Sequence, residues 1–186
     1  MDVNYCKQVR KQRPPPRRRY VTEAEYAGAY AEMPPMLRCA MDLAVLTGLR
    51  PADLLSLTRN NLTDEGIEIA TSKTGKVLLI EWSDSLKAVV DRAFKLEPRA
   101  RQPIICTRRG QPYTVDGIAC IVRRRIQKAI SDEENPLAET FSLRDLRAKS
   151  ASDDTLEHAQ RRLGHTSSAM TQRTYRRKAE RVRPLR

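Results

Sequence analysis

Arg144-Asp145-Leu146-Arg147, followed by Leu163-Gly164-His165 and then by Tyr175, is the stretch that decides how this chain is read. Tyr175 stands alone among Arg173, Arg176, Arg177 and Lys178. A tyrosine hydroxyl, with an ordinary pKa near ~10, is a poor nucleophile unless neighbouring cations draw its proton away. The surroundings here supply those cations. Far upstream, Thr47-Gly48-Leu49-Arg50 offers one more arginine at a corner between apolar segments. An arginine held between two such segments keeps its planar fork directed outward, which suits bidentate binding of phosphate oxygens.

Working outward from these residues, the sequence predicts a mainly helical body with one small antiparallel sheet. Thr22-Glu23-Ala24-Glu25 has the spacing of a capping box and opens a first helix that Pro34-Pro35 ends. Met36 to Thr47 is apolar apart from Arg38 and Asp42, as in a helix buried on most sides. Gly48 terminates it, and Pro51 opens a further helix through Leu54, Leu55 and Leu57. Ile67 to Ala70 and Val77 to Glu81 are strand-like runs around Lys73-Thr74-Gly75-Lys76, a hairpin. Helices are expected at Ser83 to Leu96 and at Thr114 to Ile130. In the second, Val115, Ile118, Ala119, Val122 and Ile126 face inward, with Arg123, Arg124 and Lys128 outward. Beyond the polar loop at Asn135-Pro136, helices resume from Leu143 onward.

The chain has 186 residues, enough for one domain with a sizeable core. Its net charge is +12, and the distribution of that charge is informative. Residues 1–19 and 173–186 each carry +6, whereas residues 20–172 sum to zero. Clustered Lys and Arg gain affinity for a polyanion by releasing counterions from its phosphates. Arg13-Pro14-Pro15-Pro16-Arg17-Arg18-Arg19 reads as a stiff, extended, basic linker. No apolar run approaches the ~20 residues of a membrane span, and no charged-then-apolar leader is seen. Cys6, Cys39, Cys106 and Cys120 lack zinc-ligand spacing and suit a reducing cytosol. No clustered carboxylates call for a metal, since Asp132-Glu133-Glu134 reads as a solvated loop, and no Walker-type glycine loop calls for a nucleotide. No cofactor is therefore expected.

Together these motifs resemble the catalytic domain of the tyrosine recombinases, the phage-type integrases, over roughly Tyr20 to Arg183. The resemblance implies a tyrosine recombinase catalytic-domain fold. In the family a first arginine lies in the same Thr-Gly-Leu-Arg setting, here Arg50, with an acid three residues on; Asp53 is accordingly a buttress. A hairpin lysine matches the family's general acid, Lys73, with Lys76 a close competitor. The family's His-x-Leu-Arg box fits two registers, Phe141-Ser142-Leu143-Arg144 and Arg144-Asp145-Leu146-Arg147. The second is preferred because Asp145 then matches. Arg147 becomes the second phosphate-clamping arginine, and Arg144 stands where a histidine is usual. An arginine there can donate hydrogen bonds but is a poor base. His165 matches the third box, and Tyr175 the nucleophile, whereas His158 reads as structural. The interval from His165 to Tyr175 is a residue longer than the family's, and that from Arg147 to His165 is shorter.

The resemblance implies a site-specific recombinase acting on double-stranded DNA through a 3′-phosphotyrosyl intermediate. It also implies four protomers on paired DNA sites for the full-length protein, and the cytoplasm of a bacterial host, at the nucleoid, as location. Integrases of this kind carry a core-binding domain before the catalytic one. Residues 1–19 are thus expected to be an interdomain linker or arm, residues 20–178 the catalytic domain, and residues 179–186 a basic tail that docks on a neighbouring protomer. Such a catalytic fragment alone is expected to be monomeric. Arg17, Arg18 and Arg19 in the arm, with Arg123 and Arg124 on the outward helix face, are candidate DNA contacts. Two alternatives remain open: a non-catalytic DNA-binding relic of an integrase, and a type IB topoisomerase that relaxes supercoils.

Overall fold

Thr22 caps the first helix as its sequence suggests. Its hydroxyl accepts from the Glu25 amide at 3.2 Å, and the Glu25 carboxylate accepts from the Thr22 amide at 2.9 Å. This box starts helix α1 (Glu23–Glu32). The computed structural model describes residues 18–98 and 102–178. Most of the basic arm, including Arg17, and the 179–186 tail lie outside the described residues. Helices α2 (Pro35–Thr47) and α3 (Pro51–Leu55) follow, then strands β1 (Gly66–Ala70) and β2 (Val77–Glu81), then α4 (Asp84–Leu96) and α5 (Val115–Ile130). Three helices close the body: α6 (Leu143–Ser152), α7 (Leu156–Arg162) and α8 (Ser168–Thr174).

Helix α2 is the central pillar. Leu37, Cys39, Ala40, Met41, Leu43 and Ala44 are all buried, because α4 covers one side of it and α6 another. Proline at its first position costs no hydrogen bond, since that amide has no partner within the helix. Gly48 ends it in a left-handed conformation, φ 64°. A Cβ at Gly48 would come within 2.9 Å of Leu163 Cδ2. Both the backbone turn and the close approach of α7 therefore require glycine here. That approach brings the Thr47-Gly48-Leu49-Arg50 corner up against Leu163-Gly164-His165, more than a hundred residues later in sequence.

The two strands pair antiparallel with Ile67 opposite Ile80 and Ile69 opposite Leu78. Ile67 and Ile69 are buried in the core, while Val77 and Leu79 alternate outward. Helix α5 packs on α1 through Ile118, Val122 and Ile126, which are buried as expected. Val115 and Ala119 are not: Val115 is 43% exposed and Ala119 is exposed too. The first turn of α5 overhangs a hollow of about 680 Å³ between itself and the start of α6, so those two side chains line the hollow instead of the core. Helix α3 also stops earlier than its apolar pattern suggests. It ends at Leu55, because Leu57 is recruited into pairing with residues 103–104, where its carbonyl accepts from the Ile104 amide at 3.0 Å. A second, smaller apolar cluster of Ala151, Ala159 and Leu163 sits between α6 and α7, and Tyr175 packs against it. Among the described residues no helix is long and apolar enough to cross a membrane.

Candidate active site

Helix α6 carries the centre of the site, and nearly all of it is buried, including Asp145, Arg147 and Lys149. Burial of a guanidinium is costly unless its protons are matched. Arg147 meets that requirement with the backbone at both motif corners. Its Nη1 donates to the Gly48 carbonyl at 2.5 Å and its Nη2 to the Leu163 carbonyl at 3.0 Å. Nη2 also lies 3.2 Å from His165 Nε2. Its Nε is buried without a hydrogen-bond partner among the described residues. A fixed fork with one donor left over is suited to an incoming anion. Burial lowers the Arg147 pKa, with Tyr175 opposing that shift and Arg50 adding to it.

His165 is 7% exposed and is held from both ring nitrogens. Arginine has only protons to offer, so Nε2 facing Arg147 is the acceptor. Nδ1 then carries the ring proton and faces Thr171 Oγ1 at 2.8 Å. Burial first, then the positive charges of Arg147, Arg50, Lys73 and Lys76, push the His165 pKa down to about 4. The imidazole is therefore neutral at pH 7. Between pH ~6.5 and about 4 the unfolded chain binds a proton at this position that the folded chain does not, so stability falls as pH falls through that window. In urea unfolding at pH 7 and pH 4.5, His165→Gln is expected to lose less stability on acidification than the parent. An equal loss in both would show that His165 is not held neutral.

Tyr175 lies just past α8, half-buried. Its ring centroid is 4.9 Å from that of His165, and Arg147 Cζ sits 5.1 Å from the same ring. The pieces quoted from opposite parts of the sequence thus share one place. Arg50 stands beside them at the N-cap of α3, with Nη1 3.6 Å from Asp53 Oδ2. Asp53, 1% exposed, also accepts from the Ser72 amide at 2.9 Å through Oδ1. One carboxylate therefore steadies both Arg50 and the base of the hairpin that carries Lys73.

Lys73 and Lys76 are both exposed on that hairpin, and the positive charge of each is felt at His165. A Cβ built on Gly164 would sit 3.3 Å from Leu78 and 3.7 Å from Lys76 Cδ, so the second strand leans directly over the residue before His165. Both lysines are within range of the site, and the alternative between them stays open. Arg144, in contrast, is exposed and opens onto the hollow beside α5, together with Arg123 and Arg177. It stands one helical turn before Arg147 on α6 and shares no hydrogen bond with Arg147, His165 or Tyr175.

The DNA-contact candidates divide. Arg18, Arg123 and Arg124 are exposed. Arg19 is engaged internally: Nη2 pairs with Glu25 at 2.8 Å and donates to the Glu139 carbonyl at 2.7 Å, while Nε donates to the Thr140 carbonyl at 3.0 Å. Its side chain is 14% exposed. His158 is exposed and bonded to Asp154, away from Arg147 and Tyr175. Sequence reasoning missed Thr171, which is fully buried and holds the Nδ1 side of the His165 ring. Its place between His165 and Tyr175, four residues before the latter, was the available signal.

Residues 19–181 match the phage integrase family. The integrase of Escherichia phage HK022 is 32% identical over 168 residues, covering 84% of this chain and 46% of that protein. The integrase of Escherichia phage lambda is 31% identical over 184 residues, covering 90% of this chain and 50% of its own length. The chain therefore spans about half the length of the curated relatives it matches. In structure it is similar to a lambda integrase dimer bound to a COC′ core site, with TM-score 0.79, 26% identity, and coverage of 97% of this chain and 55% of that one. The lambda integrase catalytic core matches with TM-score 0.67 and 26% identity, covering 78% of this chain and 91% of that core.

Proposed function

Because the chain belongs to the phage integrase family, we propose that it is the catalytic part of a site-specific recombinase that cuts and rejoins duplex DNA through Tyr175. The observation that carries this is the convergence of Arg147, His165 and Tyr175 against the Arg50 corner. The Tyr175 oxygen attacks a scissile phosphate. A phosphorus–oxygen bond to tyrosine forms as the bond to the 5′ oxygen breaks, leaving a 3′-phosphotyrosyl link and a free 5′-hydroxyl. Arg50 and Arg147 hold the non-bridging oxygens, and Arg147 Nε is the donor kept in reserve for them. A hairpin lysine, Lys73 with Lys76 as competitor, gives the departing 5′ oxygen its proton.

His165 has a particular place in this scheme. Its Nε2 is unprotonated at neutral pH but is engaged by Arg147 in the DNA-free chain, and the surrounding cations keep it a weak base. A phosphodiester anion seated among the same cations opposes their field, so substrate binding itself raises the basicity of His165 at the moment the tyrosine proton must leave. The energy of the broken bond is retained in the covalent link, so a second 5′-hydroxyl can reverse the attack and join strands. Arg144 replaces the usual histidine as a hydrogen-bond donor to the DNA backbone. Arg123 beside the same hollow, with Arg124 and the arm through Arg17 and Arg18, tracks phosphates.

Residues 20–178 serve as the catalytic domain, residues 1–19 as the link to a core-binding domain, and residues 179–186 as a docking segment in a tetramer on paired sites. The substrate places the reaction at the nucleoid in the cytoplasm of a bacterial host. A pool of nicked duplexes, which lose their 5′-hydroxyl fragment once cut, is expected to trap a detergent-resistant adduct on the peptide containing Tyr175. Salt-dependent binding with no adduct would identify a DNA-binding relic. Relaxation of supercoiled plasmid without exchanged products would identify a topoisomerase.

A further inference from the structure

The segment just after Tyr175 is tied to the body at several points. Ser152 Oγ, on the last turn of α6, accepts from the Arg177 amide at 2.8 Å, and its one proton is shared between the Ala148 carbonyl at 2.8 Å and the Tyr175 carbonyl at 3.0 Å. The Arg177 side chain, 9% exposed, then turns inward. Its Nη1 pairs with Asp145 Oδ1 at 2.8 Å and donates to the Arg19 carbonyl at 3.0 Å. Asp145 is 1% exposed and caps α6 with its other oxygen, 2.9 Å from the Ser142 amide. Arg19 is itself pinned to Glu25 and to the carbonyls of residues 139 and 140. A second tie runs alongside: Lys178 Nζ reaches Asp153 Oδ1 at 3.1 Å, and the same oxygen accepts from the Tyr20 hydroxyl at 2.6 Å.

We infer that Arg177 is a positioning residue: by binding Asp145 of α6 and the carbonyl of Arg19 at once, it fixes the backbone carrying Tyr175 against Arg147 and His165. This rests on the nucleophilic role given to Tyr175 above. The geometry explains why an arginine is used. Asp145 lies two residues before Arg147 on α6, so a bond to Asp145 references the tyrosine segment to the same helix that holds the phosphate-facing fork. The second partner, Arg19, lies where the chain enters the domain. Both bonds come from the two protons of Nη1, which the planar guanidinium holds in fixed directions, whereas the protons of an ammonium rotate on a flexible stem. A nucleophile misplaced by an ångström loses about 10²-fold in rate.

The test uses the full chain and two variants, Arg177→Met and Arg177→Lys. Amide exchange in the DNA-free chain is the first measurement. Arg177→Met is expected to speed exchange across residues 168–178 at least tenfold and leave α2 unchanged, with Arg177→Lys between it and the parent. Unchanged exchange across 168–178 overturns the inference, whatever the activity proves to be. The second measurement is adduct formation on nicked duplex DNA at saturating concentration. Arg177→Met is expected to slow it about 10- to 100-fold, with half-saturation shifted less than threefold and partial rescue by lysine. A deficit that disappears as DNA is raised would show that Arg177 only binds phosphate, and would overturn the inference. An absent adduct in the parent, with the exchange effect present, would count against the nucleophile assignment and not against the clamp.

Discussion

Tyr175→Phe is expected to abolish formation of the covalent protein–DNA adduct while leaving fold and DNA affinity nearly unchanged. The ring packs with Ala151, Ala159 and Leu163 and lies beside His165 and the Arg147 guanidinium. Phenylalanine preserves each of those contacts, so the substitution removes the oxygen proposed as nucleophile and little else. Loss of a nucleophile from a preorganised site lowers turnover by about 10³-fold or more. No other tyrosine lies beyond Tyr113 in the sequence, so no second phenol from the C-terminal region can stand in. The check is denaturing electrophoresis of the reaction on nicked duplexes, with binding measured in parallel at fixed salt. An adduct retained by Tyr175→Phe would remove the assignment entirely.

Arg147 gives the second large effect, and it acts on two properties at once. Arg147→Lys is expected to slow adduct formation about 10²- to 10³-fold, the order found when one preorganised donor is taken from a developing charge. An ammonium cannot span the Gly48 carbonyl, the Leu163 carbonyl and His165 Nε2 while keeping a donor for phosphate. Arg147→Ala is expected in addition to destabilise the fold, by roughly 1–3 kcal/mol for each buried carbonyl left without its donor. It also releases the corner at Gly48 from the turn at Leu163, so Arg50 and His165 lose their common reference. Urea unfolding beside adduct kinetics separates the two consequences. Full activity in Arg147→Lys would show that the guanidinium is a structural brace alone.

The secondary structure was largely legible, because it depends on local chemistry. The Thr22–Glu25 box, Pro35, Gly48 and the hairpin glycine Gly75 act within a few residues of themselves. The exceptions have tertiary causes. Leu57 fits the apolar spacing of a helix, but pairing with residues 103–104 satisfied its backbone better. Val115 and Ala119 fall on the apolar stripe of α5, yet nothing packs over that turn and they face a hollow. Periodicity reveals which side of a helix is apolar and does not reveal how far the neighbouring helix extends.

The site was legible to the same degree and for a different reason. Arg50, Arg147, His165 and Tyr175 stand in local contexts that resemblance picks out, but their meeting required Gly48 to admit Leu163 at van der Waals contact. Arg19 shows the limit clearly. In the sequence it is one more cation in a basic arm, and in the fold it is bound to Glu25 and to two carbonyls over a hundred residues away. Ser152 and Arg177 carried no sequence signal of comparable strength, since each acts through a partner distant along the chain.

By itself the sequence determined the chemistry on offer: a phenol, a set of fixed cations, a neutralisable imidazole, and charge gathered at both ends for a polyanion. Tertiary structure alone decided which of those cations are directed at the phenol, which are spent on internal carboxylates and carbonyls, and which tautomer the histidine holds. The physical reason is that charge and propensity belong to single residues, whereas burial and hydrogen-bond partnership are properties of pairs brought together only when the chain closes on itself.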